Sequence, residues 1–131
     1  MRVVDTSALV AFFLREENWR ELAGYMEQTL SLYLVVAEFY NALWKAVRRR
    51  YLTSDNAKRI AIYFNDYHAK NMVLEPENLY VDRALEIALE NNITVYDALY
   101  IAQAQKHRKP LLTLDTKQRE VARKLGISIL P

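Results

Sequence analysis

The chain has 131 residues, of which 52% are hydrophobic and 26% charged, as expected for one globular domain. The formal net charge is only +2, so charge balance alone does not predict a nucleic-acid partner. The chain lacks cysteine, which excludes disulfides and thiolate zinc sites, and no apolar run reaches the length of a membrane span. We therefore expect a single domain over residues 1–131, cytoplasmic and without a membrane partner.

The first half of the chain alternates short apolar strands with helical patterns. Residues 2–5 (RVVD) are predicted to form a buried strand that ends in an acid. Helical spacing follows over residues 6–15 and 17–29. Residues 30–50 begin as a strand and continue as a long helix with an apolar stripe at three- and four-residue steps. That stripe consists of Val36, Phe39, Tyr40, Leu43, Trp44 and Val47.

The second half repeats the alternation. Strands are predicted over residues 71–76, 110–115 and 127–131, and helices over residues 53–70, 78–92, 93–109 and 116–126. Gly126 is the expected stop of the last helix. Continuous apolar strands between helices predict a three-layer α/β/α fold with a mostly parallel central sheet. With only two glycines, the chain cannot form a glycine-rich phosphate loop, which excludes P-loop kinases and Rossmann dehydrogenases.

Three of the six aspartates lie where a strand and a helix meet. Asp5 and Asp115 end strands, and Asp97 opens a helix on the same side, at the edge where parallel sheets carry their functional groups. Each position also suits helix capping: Asp5 alone, Asp115 with Gln118, and Thr94 with Asp97. Three caps on one edge would form an acidic pocket, which is unfavourable unless a cation fills it.

A fourth acid, Glu38, lies in the long helix off its apolar stripe. Its helical neighbours Asn41, Ala42 and Lys45 are small or polar and could leave room for a ligand. The alternative is an exposed glutamate that pairs with Lys45.

The segments VVDTSALVA, VAEFYNAL, TVYDALYIAQA and LLTLD occur in this order along the chain. The ordered set resembles the PIN domain family, especially the small VapC-type toxin ribonucleases, over essentially all 131 residues. In the family pattern, the first acid follows the first strand, as Asp5 does in Asp-Thr-Ser, and the glutamate precedes an asparagine by three residues. All four acidic positions are present: Asp5, Glu38, Asp97 and Asp115.

The resemblance implies an endoribonuclease that depends on Mg²⁺ or Mn²⁺, and oxygen-only ligands suit these ions better than zinc. Asp5 and Asp97 would hold the metal directly or through water, while Glu38 and Asp115 would complete the cage or orient the attacking water. The side chains expected to hold these acids and waters in place are Ser7, Asn41 and Thr113.

The basic residues are more informative in their distribution than in their number. Four of them crowd the end of the long helix: Lys45, Arg48, Arg49 and Arg50. They are expected to contact the RNA backbone, although cations also favour the negative end of a helix dipole without any ligand.

The resemblance further implies a VapB-type antitoxin as partner and a homodimer. Trp19, Tyr25, Tyr40 and Trp44 would either pack in the core or line a groove for that partner. Other functions stay open: a housekeeping PIN nuclease in RNA processing, a catalytically silent PIN-like module that binds RNA or protein, and a flap-endonuclease-like DNA nuclease. The last class usually carries added helical regions for which this chain has no room.

Overall fold

A computed structural model describes residues 1–131 and contains five strands and seven α-helices. The strands are β1 (Arg2–Val4), β2 (Thr29–Leu32), β3 (Met72–Glu75), β4 (Leu111–Leu112) and β5 (Ile129–Leu130). The helices are α1 (Thr6–Phe13), α2 (Trp19–Ala23), α3 (Leu34–Arg48), α4 (Ser54–Asn71), α5 (Val81–Asn91), α6 (Val95–His107) and α7 (Thr116–Lys124). A short 3-10 turn at Glu77–Leu79 precedes α5.

The strands form one sheet in the order β3-β2-β1-β4-β5, and every neighbouring pair is parallel. This confirms the predicted α/β fold with a parallel central sheet. Parallel pairing needs a crossover between strands, and helices supply it throughout. All five strands therefore end at one edge of the sheet, with β1 in the middle and β4 beside it.

The core lies on both faces of the sheet and fixes the helices that reach its carboxyl edge. Helix α6 is buried without interruption from Ala98 to Ala104, as expected for the central helix of a layered fold. On the opposite face, the rings of Phe39 and Phe64 stack at a centroid distance of 4.0 Å, and Phe13 meets both rings edge-on. No helix combines the length and apolar character needed to cross a membrane.

Two sequence-based expectations are wrong in detail. The predicted helix over residues 17–29 ends at Ala23, and Thr29 instead begins β2. Thr29 is paired with a strand on each side, and this non-local pairing outweighs the local helical spacing.

The apolar stripe of α3 is also displaced from its predicted position. Its buried residues are Val35, Phe39, Leu43 and Ala46, at steps of four, four and three. Trp44 is 59% exposed and Tyr40 is 39% exposed, so neither packs in the core. The stripe is therefore centred one residue away from the predicted one, and two aromatic side chains face outward.

Candidate active site

Asp5 follows the central strand β1 and is the most enclosed of the four candidate acids, with 2% of its surface exposed. It caps α1 by accepting a hydrogen bond from the Ala8 backbone N at 3.1 Å. Ser7 Oγ donates to its carboxylate at 2.7 Å, and Thr113 Oγ1 donates at 2.6 Å. Burial raises the pKa of Asp5 to about 6 even though these hydrogen bonds favour the ionised form.

Ser7 and Thr113 also join the ends of β1 and β4. The Leu114 backbone N donates to Ser7 Oγ at 3.0 Å, and the Asp115 backbone N donates to Thr113 Oγ1 at 3.1 Å. Each hydroxyl therefore donates to Asp5 while it accepts from the segment that carries Asp115. The two hydroxyls thereby fix the position of Asp5 relative to Asp115.

Asp97 lies in the first turn of α6 and Asp115 directly precedes α7, and these two helices meet at this edge. Asp115 caps α7 by accepting from the Gln118 backbone N at 2.8 Å, and Thr94 caps α6 by accepting from the Asp97 backbone N at 3.1 Å. The Gln118 side chain donates through Nε2 to Asp97 Oδ1 at 3.2 Å. Burial raises the pKa of Asp97, and the negative charge of Asp115 raises the pKa of Asp97 and of Asp5. The capping roles are real, and they coexist with an acidic cluster.

Glu38 points from α3 toward two hydroxyl groups. Its Oε1 accepts from Thr6 Oγ1 at 2.6 Å and from the Tyr100 hydroxyl at 2.5 Å. Tyr100 is buried, and both burial and the charge of Glu38 raise its pKa, so the phenol stays protonated and donates. Glu38 makes no ion pair with Lys45, so the alternative of an exposed glutamate paired with that lysine is wrong.

An open cavity of about 360 Å³ lies beside Glu38. It is lined by Thr6 at the start of α1 and by one face of α3, consisting of Ala37, Glu38, Asn41, Ala42 and Lys45. Asn41 and Lys45 thus share a groove with Glu38, although neither forms a hydrogen bond to any of the four acids.

The family is decided by comparison with known proteins. The PIN domain model matches residues 2–124. This chain belongs to the PIN domain family. Ribonuclease VapC3 of Pyrobaculum aerophilum is 33% identical over 132 aligned residues, which cover 98% of each chain. Exonuclease VapC9 of the same organism is 32% identical over 113 residues, which cover 86% of this chain and 79% of the relative.

A solved structure agrees with the family assignment. The crystal structure of PAE2754 from Pyrobaculum aerophilum superposes with a TM-score of 0.72 at 26% identity, covering 98% of this chain and 82% of that one. The resemblance inferred from the four sequence segments is confirmed.

The acids of this PIN domain suit a hard divalent cation in donor type and in charge. Asp97 Oδ2, Asp115 Oδ2 and Glu38 Oε2 accept no hydrogen bond, whereas both oxygens of Asp5 do. All the candidate metal-ligand atoms are oxygens, as Mg²⁺ and Mn²⁺ prefer. A cation would also relieve the repulsion between the carboxylates. No group of three or more acidic or histidine side chains is already arranged to hold a metal ion. The four-acid metal site therefore stays a prediction.

The basic run at the end of α3 divides into two environments. Lys45 lines the groove beside Glu38, whereas the Arg48 guanidinium lies over the exposed Trp44 ring at 5.6 Å. Arg49 and Arg50 are exposed just after the helix. Of the four residues, Lys45 is the one that the fold places next to a candidate acid.

Three further residues contact the acids but were not predicted to do so. Thr6 and Tyr100 hold Glu38, and the side chain of Gln118 holds Asp97. The only local signal was for Gln118, which was expected to contribute to the cap at Asp115 but not to reach Asp97.

Proposed function

We propose that this PIN domain, acting as one unit over residues 1–131, is a divalent-metal-dependent endoribonuclease and the toxin of a cytoplasmic toxin–antitoxin pair. The observation that carries the proposal is the acidic edge of the sheet. There, the charge of Asp115 raises the pKa of both Asp5 and Asp97, and the relatives of this chain include a protein named ribonuclease. Such repulsion between carboxylates destabilises the folded chain unless a cation compensates it, which supports a metal-binding role.

In this proposal, Asp5 and Asp97 hold Mg²⁺ or Mn²⁺ directly or through water. Glu38 and Asp115 complete the site or orient the attacking water. When bound, such an ion makes water a stronger nucleophile and offsets the charge that develops on the phosphodiester. The expected products carry a 5′-phosphate and a 3′-hydroxyl.

The surrounding residues hold the acids in place. Tyr100 donates a short hydrogen bond to Glu38 at 2.5 Å and so fixes its position. Ser7 and Thr113 do the same for Asp5, and their hydrogen bonds partly offset the burial that raises its pKa to about 6. Asn41 lines the groove beside Glu38 and in this proposal holds water rather than an acid.

The RNA backbone is proposed to follow α3 from Glu38 toward the basic run. Lys45 lies two turns beyond Glu38 on the same face and lines the same cavity. Arg48, Arg49 and Arg50 extend the positive charge beyond the groove, where phosphates could release counterions on binding.

An apolar cavity supports a VapB-type antitoxin as partner. It has a volume of about 610 Å³ and lies between α1, α2 and α4, with Trp19, Phe12 and Tyr63 in its lining. Arg15 and Arg59 also line it, so an apolar segment with acidic side chains would complement the cavity in polarity and charge.

A second surface supports a homodimer. Val81, Leu85 and Leu89 recur at steps of four along α5, and they are 40%, 50% and 76% exposed. These positions lie on one helical face, so their exposure leaves an apolar stripe without a partner. A second copy of the chain would cover that stripe.

The function is tested with circular single-stranded RNA and with end-labelled linear RNAs, structured and unstructured, in Mg²⁺, Mn²⁺ or EDTA. Circular RNA distinguishes an endonuclease from an exonuclease, because only an endonuclease opens a circle. The distinction matters because one relative is named Exonuclease VapC9. We expect metal-dependent opening of the circle and no cleavage in EDTA. Cleavage that persists in EDTA would refute the metal mechanism. Shortening of linear RNA from one end, with the circle intact, would instead identify an exonuclease.

A further inference from the structure

We infer that Gln118 is a positioning residue whose side chain orients Asp97 relative to Asp115, which accepts from the Gln118 backbone, and that one oxygen of each acid stays free for a ligand. This inference rests on the proposed function. Gln118 lies in the first turn of α7, is 2% exposed and touches both acids. It was expected from the sequence only as part of a helix cap.

The two contacts come from different parts of the same residue. The Gln118 backbone N donates to Asp115 Oδ1 at 2.8 Å, and its side-chain Nε2 donates to Asp97 Oδ1 at 3.2 Å. Asp115 precedes α7 and Asp97 lies in α6, so one residue links acids from two helices. In both acids Oδ1 is engaged, and Oδ2 accepts no hydrogen bond.

The orientation of the Gln118 amide carries a free-energy cost. Its Oε1 is buried and has no hydrogen-bond partner. Rotating the amide by half a turn would bring Oε1 against the Asp97 carboxylate and replace an attraction with a repulsion. An apolar side chain of similar volume would pack here without leaving a buried carbonyl unsatisfied. Packing therefore does not explain a glutamine at this position, whereas the bond to Asp97 does.

The buried Oε1 also lies on the amide that holds Asp97. Hydrogen-bond partners of metal ligands typically contribute about 10- to 100-fold to metal affinity or activity. Gln118 is placed to make such a contribution through Asp97.

Gln103 provides a matched control. It is fully buried, and its Oε1 also lacks a partner. Its Nε2 donates to the Ser31 carbonyl and to Glu75 Oε1, both at 2.9 Å, and touches none of the four candidate acids. The two glutamines thus share chemistry and burial but differ in what they hold.

The experiment compares Gln118→Met and Gln103→Met in the full chain. The Mn²⁺ Kd is measured by isothermal titration calorimetry, and kcat and KM are measured on a cleaved RNA. We expect Gln118→Met to raise the Mn²⁺ Kd and lower kcat by about tenfold or more, with KM unchanged. Gln103→Met should leave the Kd and kcat within about twofold of wild type. The melting temperature of Gln118→Met in EDTA should change little, because removal of an unsatisfied buried carbonyl offsets the loss of the hydrogen bond to Asp97.

A second variant, Gln118→Asn, keeps the amide but shortens its reach and should lose Mn²⁺ affinity as well. It provides the same test if Gln118→Met does not fold. Unchanged Mn²⁺ affinity in a folded Gln118 variant would overturn the inference while the proposed function stands. Equal losses in the Gln118 and Gln103 variants would also overturn it, because they would show a general packing effect. A wild-type protein that neither binds Mn²⁺ nor cleaves RNA would overturn the proposed function, and this inference with it.

Discussion

Replacing Asp5 by asparagine is predicted to stabilise the metal-free protein at pH 8. Burial raises the pKa of this carboxyl to about 6, against an ordinary value of 3.8 in the unfolded chain. The folded state therefore binds the proton more tightly than the unfolded state does. The contribution of Asp5 to stability is fully present below about pH 4 and is lost as the pH rises through about 6. The asparagine variant has no such dependence, because its side chain is neutral throughout.

The expected magnitude follows from that difference in pKa. A change from 3.8 to about 6 corresponds to about 3 kcal/mol of unfolding free energy at pH 8. Asparagine can still accept from Ala8 N, but it offers one acceptor oxygen fewer to Ser7 and Thr113, which costs about 1 to 2 kcal/mol. A net gain of about 1 to 2 kcal/mol remains, and for a chain of this size it raises the melting temperature by about 4 to 8 °C.

The assay is a set of thermal melts in EDTA at pH 8 and pH 4.5 for wild type, Asp5→Asn and Asp66→Asn. Asp66 is the control because it is an exposed helical acid that pairs with Lys70 at 2.8 Å. Removing such a surface pair changes stability by about 0.5 kcal/mol or less. The advantage of Asp5→Asn should largely vanish at pH 4.5, where folded wild-type Asp5 is protonated. If Asp5→Asn melts clearly below wild type at pH 8, the hydrogen bonds to the charged form outweigh its burial and the reasoning fails.

Three further predictions concern separate parts of the molecule. Tyr100→Phe removes the donor to charged Glu38 and should cost about 1.5 to 3 kcal/mol in urea unfolding; an unchanged midpoint would show that this bond contributes nothing. Lys45→Ala should lower the slope of log RNA affinity against log salt by about 0.7, whereas Arg50→Gln should change that slope less. A slope for Lys45→Ala equal to that of wild type would mean that Lys45 contacts no phosphate. Leu85→Lys should convert a dimer into a monomer in sedimentation velocity, and a persistent dimer would exclude the α5 stripe as the interface.

The fold was predictable because its signals are local. Each strand is a short apolar run bounded by helical patterns, and Gly126 ends α7 with a φ of 75°, which glycine adopts without strain. The errors arose where distant partners decide the structure. Thr29 joins β2 because β1 and β3 pair with it, and the exposure of Trp44 depends on which face of α3 meets the sheet.

The difference between local signals and distant partners also decides which parts of the candidate site were predictable. Asp5, Asp97 and Asp115 were predictable as candidates because each lies at a strand end or a helix start, where sequence pattern is informative. The contacts that hold the acids are not local: Tyr100 and Glu38 are 62 residues apart, and Gln118 and Asp97 are 21 apart. No spacing rule connects such pairs, so only the packed structure reveals them.

The central claim is that Asp5, Glu38, Asp97 and Asp115 bind a divalent cation and that RNA cleavage requires this cation. Its most direct test is calorimetric titration of Mn²⁺ into wild type, Asp97→Asn and Asp115→Asn, with RNA cleavage measured on the same samples. We predict saturable binding by wild type, and weaker binding together with lost cleavage in both variants. The claim is contradicted if wild type binds no Mn²⁺, or if both variants bind it and cleave RNA as wild type does.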